Sequence, residues 1–213
     1  MKKITIFAVI MVMVMALTGC SKKGPVAIVN GVEISRDDFN TELKFELAAY
    51  ETQGVTLTDE QIEEVKQYIV DRLINTQLLT EAAAKAGITV ASLDVDGELA
   101  AVIESFEDET TFEKALAEAD FTLESYKAAL TDVLMIEALF EKELELSKLD
   151  VSEEEIQAMV DIYLENYEGE EEIDEEDLRE YLTFTLKENK AESMRGEYVE
   201  KLRKESEIKY LDF

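Results

Sequence analysis

The sequence predicts a mainly α fold, a succession of helices with a small β-sheet formed by an N-terminal hairpin and a C-terminal strand. Three observations predict it. Apolar residues recur at helical spacing behind good N-caps over most of the chain. The single proline among 213 residues is Pro25, so no ring interrupts those helices. The two short runs that depart from helical period lie at opposite ends, Val26-Ala27-Ile28-Val29 and Ile208-Lys209-Tyr210-Leu211.

Residues 1–19 read as a targeting segment rather than as part of the fold. Lys2 and Lys3 are followed by an apolar run over 4–16, broken only by Thr5. That run is shorter than the roughly 20 residues a spanning helix needs, and it has the length of a signal-peptide core. Leu17-Thr18-Gly19-Cys20 resembles the lipobox of bacterial lipoproteins. The resemblance implies a diacylglycerol on the Cys20 thiol, cleavage just before it, and a lipid-anchored protein on the extracytoplasmic face of the cell membrane. Cys20 is the chain's one cysteine, which excludes an intrachain disulfide framework. Residues 20–25 then form a lipidated tether, and 26–213 the folded region. The stretch 21–25 reaches at most about 17 Å.

Within the folded region, Asn30-Gly31 predicts a two-residue hairpin turn, because both positions tolerate positive φ. Val32-Glu33-Ile34 returns as the second strand. Ser35 caps a helix over 36–52 that carries Phe39, Leu43 and Leu47 on one stripe. Thr58 and Gln61 make a capping box for a long helix whose apolar face holds Ile62, Val65, Ile69, Leu73 and Leu78, with Gly87 as its terminator. Shorter helices follow over 94–105 and 111–119. Thr122 caps a helix to about 146, and Ser152 with Glu155 makes a second capping box for one to about 167. The acidic stretch 168–177 reads as a solvated loop, 176–205 as the last helix and 208–211 as the closing strand. An isolated hairpin is marginal, so the last strand is expected to return beside it.

The composition narrows function by exclusion. The net charge is −29, and it becomes −31 when the two lysines leave with residues 1–19. So acidic a chain offers nucleic acid no basic patch. There is no histidine and no tryptophan. That removes Ser-His and Cys-His catalysis and the common zinc sites. The expectation is no metal, no cofactor and no catalytic residue. Carboxylate pairs are inevitable among fifty acids and carry little information. The acids of 168–177 lack the order of an EF-hand, and those at Asp94, Asp96 and Glu98 suit the positive end of a helix dipole.

The run Val26-Ala27-Ile28-Val29-Asn30-Gly31-Val32-Glu33-Ile34-Ser35 with Asp38-Phe39 resembles the start of the SurA/PrsA family of extracytoplasmic foldases. So does Val70-Asp71-Arg72-Leu73-Ile74-Asn75-Thr76-Gln77-Leu78-Leu79, with Ala82 and Ala84-Lys85-Ala86-Gly87-Ile88 behind it. Phe112, Leu116, Thr122-Leu123-Glu124-Ser125-Tyr126, Val151-Ser152-Glu153-Glu154-Glu155-Ile156 and the tail from Tyr198 to Leu211 are similar to that family's later elements. The resemblance implies a SurA N-terminal-like chaperone domain. It departs where family members place a parvulin isomerase domain: here the interval is 168–177, and chains below about 40 residues rarely fold unaided. Parvulin centres also use histidines, and this chain has none.

The implied function is a membrane-anchored chaperone that holds unfolded or newly exported polypeptides, basic ones above all, in a shallow apolar cleft without catalysis. The aromatic side chains Phe106, Phe112, Phe121 and Tyr126 are candidates for such contacts, although core packing is the plainer explanation. Met135, Met159 and Met194 are ambiguous in the same way. Two other readings stand beside it: a scaffold lipoprotein with one dedicated envelope partner, and a peptidyl-prolyl isomerase with an unrecognised site.

Overall fold

Asn30 at φ 50° and Gly31 at φ 86° turn the chain through two left-handed residues. That turn matches the right-handed twist of the strands it joins, β1 (Ala27–Val29) and β2 (Val32–Ile34). The computed structural model describes residues 24–213 except 107, 119, 120, 168 and 170–173. Residues 1–19, which the sequence reads as a targeting segment, and Cys20 therefore lie outside the described residues. Beyond the hairpin come α1 (Arg36–Thr52), α2 (Asp59–Lys85), α3 (Val95–Glu104), α4 (Glu109–Glu118), α5 (Leu123–Leu144), α6 (Glu153–Glu165) and α7 (Glu175–Lys204), then β3 (Ile208–Tyr210). Single 3₁₀ turns stand at Val90–Ser92 and Leu146–Lys148. The described residues thus form a mainly α protein with one three-stranded antiparallel sheet, as the sequence predicts.

The chain divides into two compact units, Met1–Ile74 with Glu207–Phe213, and Asn75–Ser206. In the first, β1 is the central strand, in the order β2-β1-β3. Ala27 pairs with Ile34 and Tyr210, Ile28 with Glu33 and Lys209, and Val29 with Val32 and Ile208. The two-residue period puts Ala27 and Val29 in the interior and Ile28 on the other face, between Glu33 and Lys209. Val26, Ile34 and Phe39 are buried, as are Val65, Ile69, Val70 and Ile74 of α2. The Phe39 ring packs on Phe213 with centroids 5.6 Å apart. Arg36 donates to the carbonyls of Gly24 and Asp212, fastening the segments at either end of the unit to the start of α1.

The second unit has two apolar clusters. Leu79 and Ala83 of α2, Ile88, and Leu139 and Phe140 of α5 form the larger one, covered by Tyr198, Val199 and Leu202 of α7. Its entrance is set by Gly87 at φ 79°: the Gly87 N–H donates to Ala84 O and the Ile88 N–H to Ala83 O, each at 3.0 Å. This Schellman pairing satisfies carbonyls at the end of α2 and swings Ile88 into the cluster. The smaller cluster holds Val151, Ile156, Val160, Leu178 and Leu182, with Met159 and Leu186 against it. It is the seam of an antiparallel pair, α6 on α7.

Four boundaries differ from the sequence reading. α4 begins at Glu109 rather than at Thr111, because the Asp108 carboxylate accepts the Thr111 N–H and hydroxyl. α5 stops at Leu144, short of 146, because Glu145 enters the left-handed region at φ 50°. α6 ends at Glu165, so Tyr167 lies past it, and the Asn166 amide donates to Ile162 O at 2.7 Å. The acidic stretch is not loop to 177: Asp174 accepts from the Glu176 and Asp177 N–H groups and starts α7 at Glu175. Three acids in that first turn are favoured by the helix dipole.

Candidate functional site

The four aromatic residues singled out in the sequence come together. Phe112 of α4 lies between Phe106 and Tyr126, with ring centroids 5.4 and 5.5 Å away, and Phe121 lies 6.4 Å from Tyr126. All three contacts are edge-to-face, the arrangement that sets the positive ring edge against the negative face. Phe112 is only 3% exposed, while Phe106, Phe121 and Tyr126 are half-buried around it. The quartet is a packing centre for α3, α4 and α5, and Phe112 in particular offers no open surface. The acids nearby are structural too. Asp94 accepts the Gly97 N–H at 3.0 Å as the cap of α3, and Asp96 is paired with Lys127.

Open apolar surface lies instead on the α6–α7 pair. α6 turns Ile156 and Val160 towards Leu178 and Leu182. It then carries Ile162, Tyr163 and Leu164 in succession, and three consecutive residues fan across some 200° of a helix, more than one seam can cover. Ile162 is 56% exposed, Tyr163 40% and Leu164 44%. The Tyr163 and Tyr167 rings stack at 6.0 Å with planes 20° apart. With Met159, Ile162, Asn166 and Gly169 they line an open, mostly apolar groove of about 540 Å³. On α7, Tyr181 and Phe184 are 61% and 65% exposed, out of phase with the buried Leu178 and Leu182. Apart from Met159, which the sequence left ambiguous, sequence reasoning missed these residues. The signals available were the unbroken Ile162-Tyr163-Leu164 run and the phase of Tyr181 and Phe184.

The surroundings of this surface are anionic. Residues 151–180 hold fourteen acids and one base, Arg179. That base is already engaged by Glu153 and by Gln157, whose Oε1 it reaches at 2.6 Å. Glu155 closes the capping box of α6: the Ser152 N–H and hydroxyl and the Lys190 ammonium bond to its carboxylate and hold its pKa down to about 2. The Val151 N–H, with Lys187, likewise holds Asp150 below its ordinary value. Asp161 accepts the Gln157 amide at 2.8 Å, and among the described residues neither Asp161 nor Glu165 pairs with a cation.

Among the described residues no group of three or more His, Cys, Asp or Glu side chains is placed to hold a metal ion, and no helix is long and apolar enough to cross a membrane. Leu17, Thr18, Gly19 and Cys20, the expected lipobox, fall outside the described residues.

The described chain is thus a helical fold with its first and last strands in one sheet and exposed apolar side chains on a helical pair. The family model of the SurA-like N-terminal domain matches residues 1–140, about two thirds of the chain, and the protein belongs to that family. The match ends within α5, so α6 and α7 lie beyond it. No curated protein matches the chain.

Proposed function

We propose that the protein is a lipid-anchored extracytoplasmic chaperone that holds unfolded or newly exported polypeptides and performs no catalysis. The observation that carries this reading is the uncovered apolar face of α6 and α7 in a chain of the SurA-like N-terminal family. Holding needs no reactive residue; it needs apolar area that clients can cover reversibly, worth about 25 cal/mol per Å² before ordering costs. The Leu17-Thr18-Gly19-Cys20 segment supports the anchor, and the short 168–177 interval supports the lack of a parvulin domain. The anchor would keep the binding face where exported chains emerge.

A photocrosslinker introduced in place of Phe184 in intact cells tests this reading. Adducts with many exported polypeptides are expected. Crosslinking to one folded envelope protein alone would instead identify a dedicated scaffold. In a protease-coupled proline-peptide assay no turnover is expected above the uncatalysed rate, which takes tens to hundreds of seconds.

A further inference from the structure

We infer that the edge of β1 covered by residues 207–213 is a second polypeptide-binding site, which takes an extended segment with apolar residues two positions apart, because 207–213 is seated there through main-chain bonds while none of its side chains is buried. The inference goes beyond the α6–α7 face, and its test does not depend on that face.

The segment already in place shows what the site accepts. Ile208, Lys209 and Tyr210 pair antiparallel with Val29, Ile28 and Ala27. Main-chain bonds extend the ladder at both ends: the Asn30 N–H donates to Glu207 O at 2.8 Å, and the Leu211 N–H to Val26 O at 3.0 Å. Paired residues share a face, so Ile208 and Tyr210 lie on the side of Val29 and Ala27, and Lys209 on the side of Ile28. An occupant therefore needs apolar side chains at two alternate positions and is unrestricted between them. Burial is uneven across this edge. Val26, Ala27 and Val29 are fully buried, whereas Ile208, Leu211 and Phe213 are half-buried and Glu207, Lys209, Tyr210 and Asp212 are exposed. The Tyr210 hydroxyl donates to Asp71 in an exposed position, where water competes for it. Local opening costs least where few side chains are buried and hydrogen bonds are exposed. With 207–213 lifted away, β1 would present open N–H and C=O groups beside an apolar face, the template to which extended chains add as strands.

The test uses the full-length chain and two short fluorescent peptides. One copies 207–213; the other has valine and phenylalanine at the places of Ile208 and Tyr210 and threonine elsewhere. Lys209→Pro removes the N–H that faces β1 and opens the edge, whereas Lys209→Ala keeps it. In anisotropy both peptides should bind Lys209→Pro at least about tenfold more tightly than the wild type or Lys209→Ala, whose own segment competes at high effective concentration. N-methylation at the places of Lys209 and Leu211 should remove that binding. Hydrogen exchange on the wild type gives an independent reading. By the alternation of an antiparallel ladder, the Ile28 and Asn30 N–H groups face β3, and those of Ala27 and Val29 face β2. The first two should exchange at least about tenfold faster. Equal exchange of the four, equal affinity of the three proteins, or full binding of the N-methylated peptides overturns the inference. Binding of the copied peptide alone, with dimers at the same concentration, identifies a second copy as the occupant and overturns it too. If Lys209→Pro loses its helical content, exchange in the wild type decides.

Discussion

Asn30 and Glu207 bond to each other twice: the Asn30 N–H donates to Glu207 O at 2.8 Å, and the Glu207 N–H donates to Asn30 Oδ1 at 3.0 Å. One residue therefore turns the hairpin and receives the last strand. Asparagine suits both tasks, since it tolerates φ 50° and brings a side-chain acceptor.

Asn30→Gly keeps the turn and loses the side-chain bond, and is expected to cost about 0.5–1.5 kcal/mol. Asn30→Ala loses the same bond and forces alanine into the left-handed region, adding about 1 kcal/mol. Urea unfolding of the two variants should rank alanine as the worse. Equal stability of both with the wild type would show that the pairing contributes nothing.

Much of this fold was legible because its determinants are local. The Asn30-Gly31 turn, the Gly87 terminator and the capping boxes at Thr58/Gln61 and Ser152/Glu155 depend on residues five or fewer positions apart, and each forms the predicted bonds. Glu145 was not legible: its left-handed turn comes with Glu141 accepting the Ser147 N–H and hydroxyl, a contact six residues apart that belongs to no capping motif read in the sequence. Nor could the sequence say which aromatics face out. Phe112 and Phe184 look alike in sequence, yet one is buried between the Phe106 and Tyr126 rings while the other stands 65% exposed.

Phe112→Ala should cost about 3–5 kcal/mol, since it leaves a cavity among Phe106, Tyr126 and Leu116 in a region where partner rings cannot easily collapse. Phe121→Ala should cost clearly less, because that ring is already half-exposed. Denaturant midpoints measure both. A Phe112→Ala cost within about 0.5 kcal/mol, the range of surface substitutions, would refute the packing role.

Glu155 supplies an acid-sensitive element at the head of α6. Its folded pKa of about 2 lies below its ordinary 4.5, so the unfolded chain binds the extra proton between those values. Its contribution is complete above pH 4.5 and is lost as pH falls towards 2. NMR titration of the Glu155 carboxyl should show a midpoint near 2, and Ser152→Ala should move it upward by removing the hydroxyl bond. A midpoint at 4.5 in the wild type would mean that the capping box does not hold the carboxylate.

Cys20→Ala should release the protein from membranes or leave its signal uncleaved. One acyl chain binds a bilayer only marginally, so the two of a diacylglycerol are the least that gives stable attachment. Detergent partitioning of wild type and variant reads the outcome. Normal processing with unchanged membrane fractionation of the variant would rule out lipid on Cys20 as the anchor.

Light scattering of a chemically denatured client, without ATP, tests most directly whether the exposed face of α6 and α7 holds unfolded chains. The protein at near-stoichiometric amounts should suppress aggregation. Ile162→Ser combined with Phe184→Ser should abolish most of that protection at unchanged helical content, since both side chains stand more than half exposed outside the seam. Full protection by the double variant, or none by the wild type, would contradict the account.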